Sequence, residues 1–292
     1  MKRERFGIGD AVIYLAFILF SLTIAVPFVH LLSLSFSPSY VATKGGILLW
    51  PRNFTLDNYI KVFNSKFIWI GYKNTLIRTL IGTSVQIMIT SMGAYALSKK
   101  FFPHRSIWTF MIVFTMFFSG GLIPTYLLVK SLGLLDSYAS MILPGLVSAY
   151  NMVIMRNYFS AMPEEIEESC LLDGASRFRT FFSIIIPLAM PIFATVALWL
   201  AVGHWNAWFD VLIYISDDTK FTLQIVLRRI LITGTQQMFE MTTSSAFMEE
   251  SQASPEGMKA AAIFVATVPI LCVYPFIQKY FVQGIMIGSL KG

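Results

Sequence analysis

The sequence predicts an all-α polytopic membrane protein, and three observations carry that prediction. Hydrophobic residues fill 56% of the 292 positions and charged residues only 13%, a balance far from that of a soluble domain. Charge-free runs cover residues 11–43, 79–98, 106–129, 137–155, 180–209 and 260–278, each near the roughly 20 residues that a helix needs to cross a bilayer. Between the fourth and fifth runs the polarity reverses, with Glu164, Glu165, Glu167, Glu168 and Asp173 crowded together. Six transmembrane helices in a single domain, residues 1–292, with a charged elbow at residues 161–191, satisfy all three.

The first run follows Lys2, Arg3 and Arg5 as a leader peptide would. It is too long and has no small-residue cleavage site, so a retained first span is expected. Those cations place the N-terminus in the cytoplasm, and six crossings return the C-terminus there. Lys99, Lys100 and Arg105, with Arg156, Arg177 and Arg179, then lie on the same side. The outer segment, residues 36–72, contains Thr55 ahead of Asp57, Asn58, Tyr59, Ile60, Val62 and Phe63; it reads as an interfacial amphipathic helix capped by Thr55 that seats the chain in the membrane.

Arg78, near the outer end of the second span, is expected to snorkel to the interface, the alternative being a substrate-facing role. In the third span, Gly120 and Gly121 before Pro124 permit an unwound or closely packed stretch, with helix packing the expected use. Asn151 in the fourth span needs a partner, either across helices or on a pathway.

The elbow itself reads as two short helices. Pro163 suits a first helical position, the glutamates load the positive end of the dipole, and Gly174 acts as a left-handed stop. A second helix begins near Ser176, and Phe178, Phe181, Phe182 and Ile185 repeat along it before Pro187 and Pro191. The fifth span then ends in Gly203, His204, Trp205, Asn206, Ala207, Trp208, Phe209 and Asp210. Aromatic faces with Asn and His suit a saccharide path, though an interfacial aromatic belt explains the tryptophans equally well. Residues 221–231 read as a short amphipathic helix and residues 233–254 as a polar, mobile segment.

The elbow resembles the cytoplasmic coupling loop of permease subunits in binding-protein-dependent ABC importers. Glu168, Ser169 and Cys170 occupy the Glu-Ala-Ala positions of that family's signature, Asp173, Gly174 and Ala175 its Asp-Gly-Ala core, and Ile184 to Pro187 its end. The tail from Gln278 to Gly292 is similar to that of maltose-type sugar permeases, so the resemblance covers nearly the whole chain. It implies a type I importer permease of the bacterial cytoplasmic (inner) membrane that handles oligosaccharides or polysaccharide fragments; eleven outward Lys and Arg would suit acidic ones, and would equally suit phospholipid headgroups. It further implies a heterodimer with a second non-identical permease, two ATPase subunits that bring ATP and Mg, and an extracytoplasmic sugar-binding protein that residues 233–254 reach. Coupling to the ATPase falls to Glu165, Glu168, Asp173, Gly174, Ala175 and Arg177. Arg78, Asn151, His204, Trp205, Asn206 and Trp208 are candidates for the substrate path.

Other classes fit less well. No His-Glu-x-x-His or Gly-x-Ser-x-Gly occurs and the three histidines stand far apart, so neither catalytic residues nor a metal site is expected. The chain has no phosphate-binding Gly-Lys-Ser/Thr loop, and no cofactor is expected on it. An ion-coupled secondary transporter is the rival, but it calls for acids within spans and repeated halves. The +6 net charge is spread over loops rather than clustered among exposed aromatics, so it sets topology and lipid contact, not nucleic-acid binding. Cys170 and Cys272 imply no disulfide framework.

Overall fold

A computed structural model describes residues 7–42, 45–233 and 255–289. Lys2, Arg3, Arg5, nearly all of the polar segment 233–254 and the last three residues of the tail lie outside the described residues. All regular structure among those described is helical. The helices are α1 (Ile8–Ser35), α2 (Asp57–Asn64), α3 (Lys66–Ser98), α4 (Arg105–Phe117), α5 (Leu122–Ser131), α6 (Tyr138–Ile142) and α7 (Ala149–Ser160). After these come α8 (Glu164–Leu172), α9 (Arg177–Leu188), α10 (Met190–Asn206), α11 (Phe209–Tyr214), α12 (Leu223–Thr233) and α13 (Pro255–Ser289).

Three helices are long and apolar enough to cross a membrane unbroken, within α1, α3 and α13. The other three expected spans are each a bent pair: α4 with α5 at 112°, α6 and its following 3-10 turn with α7 at 54°, and α9 with α10 at 84°. Counting each bent pair as one span gives the six crossings expected, half of them broken rather than straight.

Each break has a local cause. Gly121 adopts φ +88, and a Cβ on Gly120 or Gly121 would meet nothing within 4 Å. The glycine pair thus serves an unwound turn that a side chain would strain, not the close packing expected from sequence. Pro144 enters the turn after α6. Ahead of Pro187 the helix widens into a π-turn over Phe181–Ile185, with the Ile186 N–H reaching Phe181; the wider turn accommodates a proline that lacks an N–H and crowds the carbonyl four residues back.

The chain divides into two compact units. In the first, α2 is fastened to the end of α1. The Asn58 amide, fully buried, donates to the carbonyls of Ser35 and Ser37, both at 3.0 Å, and the Tyr59 hydroxyl lies 2.9 Å from Ser35 Oγ. Leu56, not Thr55, is the N-cap of α2, although Thr55 Oγ1 still accepts the Asp57 N–H. The apolar stretch of α1 is wholly exposed on this chain.

The second unit is built on α3. Asn74, Thr75, Arg78, Gly82, Gln86, Thr90 and Ala94 recur every three or four residues, so they share one stripe. At one end this stripe runs into an apolar core of Ala94, Leu97, Met155, Phe159, Phe181, Ile185 and Phe193, where Tyr95 packs edge-on to Phe159. At the other end it is polar and meets the bent segments.

Candidate functional site

The elbow folds as its sequence dictates. Pro163 is the N-cap, one position earlier than expected, and α8 begins with three glutamates in its first turn, where carboxylates meet the positive end of the helix. It ends in a Schellman turn: the Gly174 N–H donates to Leu171 O at 3.0 Å and the Ala175 N–H to Cys170 O at 2.9 Å. Gly174 has φ +78, the left-handed stop anticipated. Ser176 caps α9 by accepting the Arg179 N–H at 3.3 Å.

The acids of α8 divide into two sets. Glu167 pairs with Lys99 and Glu164 with Lys100 at 2.6 Å, which ties the helix to the end of α3. The Lys100 hydrogen bond holds the Glu164 carboxyl below its ordinary pKa. Glu165 and Glu168 are exposed and form no ion pair with any described residue. Beside them Leu172 is 88% exposed and Phe178 66%. The elbow thus presents two unpaired carboxylates and, at helical spacing from them, the bare Leu172, with Phe178 bare on the next helix, a mixture suited to a partly apolar pocket with a basic edge. Sequence reading missed Leu172; its signal was a second leucine with no apolar partner one turn later. Asp173 is exposed, Ala175 half-buried, and Arg177 lies with its guanidinium carbon 3.7 Å from the centroid of the Phe101 ring.

At the opposite end of α3, most of the suggested path residues are engaged elsewhere. Arg78 does not snorkel. It stands about 18 Å along α3 by the helical rise, is 3% exposed, and pairs with Asp210 while donating to Met141 O at 3.2 Å and Ala207 O at 3.4 Å. His204 Nε2 lies 3.0 Å from Gln86 Oε1, and Gln86 Nε2 donates to Gly145 O at 2.7 Å. Since the Gln86 oxygen accepts, Nε2 carries the imidazole proton in this arrangement. Asn74 joins the set, donating to Thr219 O and Phe221 O and accepting from the Tyr138 hydroxyl; Thr75 Oγ1 accepts the Leu223 N–H at 2.8 Å.

A bend or a helix end frees backbone carbonyls inside a medium without water, and each must find a donor within the protein. The stripe on α3 supplies such donors to Met141 and Gly145 at the break before α7, to Ala207 at the end of α10, and to Thr219 and Phe221 in the segment beyond α11. Arg78 and His204 are therefore structural ties.

Trp205 is buried and edge-on to Tyr72, and its indole N–H makes no hydrogen bond. Asn206 is exposed and accepts weakly from Gln224 at 3.4 Å, and Trp208 packs against Phe209. Asn151 is buried, and the expected cross-helix hydrogen bond of its side chain is not made among the described residues. An aromatic pair that lies open is Tyr150 with Trp199, 6.3 Å apart and tilted, from α7 and α10; the rings of Phe110, Phe114 and Phe118 are exposed as well. Tyr150 and Trp199 are 49 positions apart, so no local pattern announced their pairing. Cys170 and Cys272 are free thiols, and no metal-holding cluster occurs among the described residues.

Long apolar helices and broken pairs, with polar groups of α3 tied to the backbone of other segments and a charged elbow left open, define a polytopic helical component of a membrane machine. The chain belongs to the family of binding-protein-dependent transport system inner membrane components, whose pattern matches residues 5–287. It is 40% identical over 295 residues, spanning 100% of both chains, to the polygalacturonan/rhamnogalacturonan transport system permease protein of Bacillus subtilis (strain 168). It is 28% identical to the arabinooligosaccharides transport system permease protein of the same organism, over 99% of this chain and 98% of that one. Among solved structures it is similar to a chain of a bacterial ABC transporter involved in the import of the acidic polysaccharide alginate, with a TM-score of 0.87 and 30% identity, covering 96% of this chain and 100% of that one. The protein is thus a membrane-spanning permease component that works with other transporter parts.

Proposed function

We propose that this chain is one of two non-identical permeases in an ATP-driven importer of acidic oligosaccharides or polysaccharide fragments. The observation that carries the proposal is the open face of the elbow: Glu165, Glu168, Leu172 and Phe178 stand exposed together while Glu164 and Glu167 are spent on the chain's own lysines. Two ATPase subunits dock there from the cytoplasm and bring ATP and Mg, and the permease itself is no enzyme. Both termini lie in the cytoplasm. An extracytoplasmic binding protein delivers the sugar, with residues 233–254 as its contact.

The substrate class draws on the relatives, one of which is described as carrying an acidic polysaccharide. On this chain the exposed rings of Tyr150 and Trp199 offer flat apolar faces for sugar C–H groups, with a phenol beside them for hydroxyls.

Glu168→Lys in the reconstituted complex tests the coupling half. It is expected to abolish sugar-stimulated ATP hydrolysis or release the ATPase while leaving sugar binding by the isolated binding protein unchanged; normal transport and ATP use in this variant would remove the elbow from the mechanism. Retention of neutral but not acidic oligosaccharides by the cognate binding protein would overturn the substrate half.

A further inference from the structure

Both helices of the elbow hold the same corner of the chain, the end of α3 and the loop after it. From α8 come the pairs Glu167 with Lys99 and Glu164 with Lys100. From α9, Arg177 covers Phe101, and the Phe181 ring packs 4.8 Å from that of Tyr95. Lys99 is the centre of this corner: its ammonium also sits 4.4 Å from the centroid of the Tyr95 ring.

The two ion pairs differ in shelter. Lys99 and Glu167 are 15% and 16% exposed, whereas Lys100 and Glu164 are 75% and 65% exposed. Salt and side-chain entropy erode the outer pair far more than the inner one. Helix α8 also has no fully buried residue, only Ile166, Glu167 and Cys170 being half-buried, so apolar packing holds its orientation weakly and the inner pair adds the sheltered contact.

We propose that Lys99 and Glu167 are positioning residues of the transport cycle, fastening the elbow to α3 so that the two move as one rigid body. This rests on the coupling function proposed above. A push received at Glu165, Glu168 and Leu172 then displaces α3 without the elbow turning on it. Because α3 carries the donors for Met141, Gly145 and Ala207, the displacement reaches the backbone at the break between α6 and α7 and at the end of α10 directly.

The test uses the complete importer in vesicles. Lys99→Glu and Glu167→Lys each set like charges against one another and are expected to lower transport per ATP hydrolysed by about tenfold, the size of an ordinary coupling between sites. The ATPase subunits stay bound, which a general folding defect would not permit. The double reversal is expected to restore the ratio to within about threefold of the parent. Unchanged ratios in both single variants overturn the proposal, and so does a double variant that fails to recover.

A second arm replaces the pair covalently, with Lys99→Cys and Glu167→Cys joined by a short bifunctional thiol reagent in a Cys170→Ser, Cys272→Ser background. Transport is expected to survive crosslinking; its loss shows that the elbow must turn on α3 and overturns the rigid tether. Failure of the underlying coupling function is seen separately, as a parent complex that purifies without ATPase subunits, and would remove this proposal with it.

Discussion

The two ends of α3 use the same chemistry to opposite effect. At one end Lys99 and Lys100 take up two of the four glutamates of α8 and leave Glu165 and Glu168 facing out. At the other end Arg78, Asn74 and Gln86 are fully committed to Asp210 and to freed carbonyls. The difference teaches that a charge in such a protein is read by what remains after its internal obligations are met. Glu168 is available and Arg78 is not, although both were equally conspicuous as charges beside apolar runs.

The comparison is broken most severely at Arg78. Arg78→Ala should leave Asp210 half-buried and unpaired, a loss of about 3–5 kcal/mol, read as a collapse of the thermal midpoint of the purified complex. Pairing Arg78→Met with Asp210→Leu should recover part of that loss. A single variant as stable as the parent would mean that Arg78 is free after all.

Gly82 gives the next effect. A Cβ there would stand 2.7 Å from His204 Nε2, so Gly82→Ala forces the imidazole off Gln86 and should cost about 1–3 kcal/mol. Loss of the His204 tie would appear as a changed imidazole signal in the spectrum of labelled protein.

At the elbow, Gly174→Ala must adopt φ +78 with a side chain, which should cost about 1–2 kcal/mol of local strain. Nothing lies within 4 Å of that Cβ, so protease sensitivity at residues 172–175 should rise while the spans stay intact. By contrast Glu165→Gln should leave stability within about 0.5 kcal/mol and alter only ATPase association, which sharpens the contrast between the committed and the open end.

The smallest effect concerns acid. Asp217 is held at a pKa of about 2 by hydrogen bonds from Thr219 and Lys220, against 3.8 for the free carboxyl. A lowered folded pKa stabilises the turn above pH 3.8, and that contribution is lost as pH falls through about 2. Amide exchange at Thr219 should therefore stay slow until the medium is far more acidic than a free aspartate would require.

Much of this was legible from residues that act locally. Gly174, Ser176 and the glutamates announce a stopped helix and a capped one because their cues lie within a single turn. The six apolar runs announce six crossings. The bends in three of them were not legible, since a proline or a glycine pair permits a break without demanding one. Nor was the role of Arg78: Asp210 lies 132 positions away, and only the fold brings it near. The stripe from Asn74 to Ala94 was present in the sequence at helical spacing, but it reads as a polar dilution of a span until the freed carbonyls it serves are known.

That stripe bears on how the protein is made. Arg78 lies inside α3, where an unpaired arginine raises the cost of entering the bilayer by about 2.5–3.5 kcal/mol, and its counter-charge is synthesised 132 residues later. Helix α1 carries no such burden, having no charged residue beyond Asp10 at its start. The first span can therefore settle in the bilayer as soon as it leaves the ribosome, whereas α3 must be held at the insertion machinery, or kept at the bilayer edge, until α10 and α11 arrive to neutralise it.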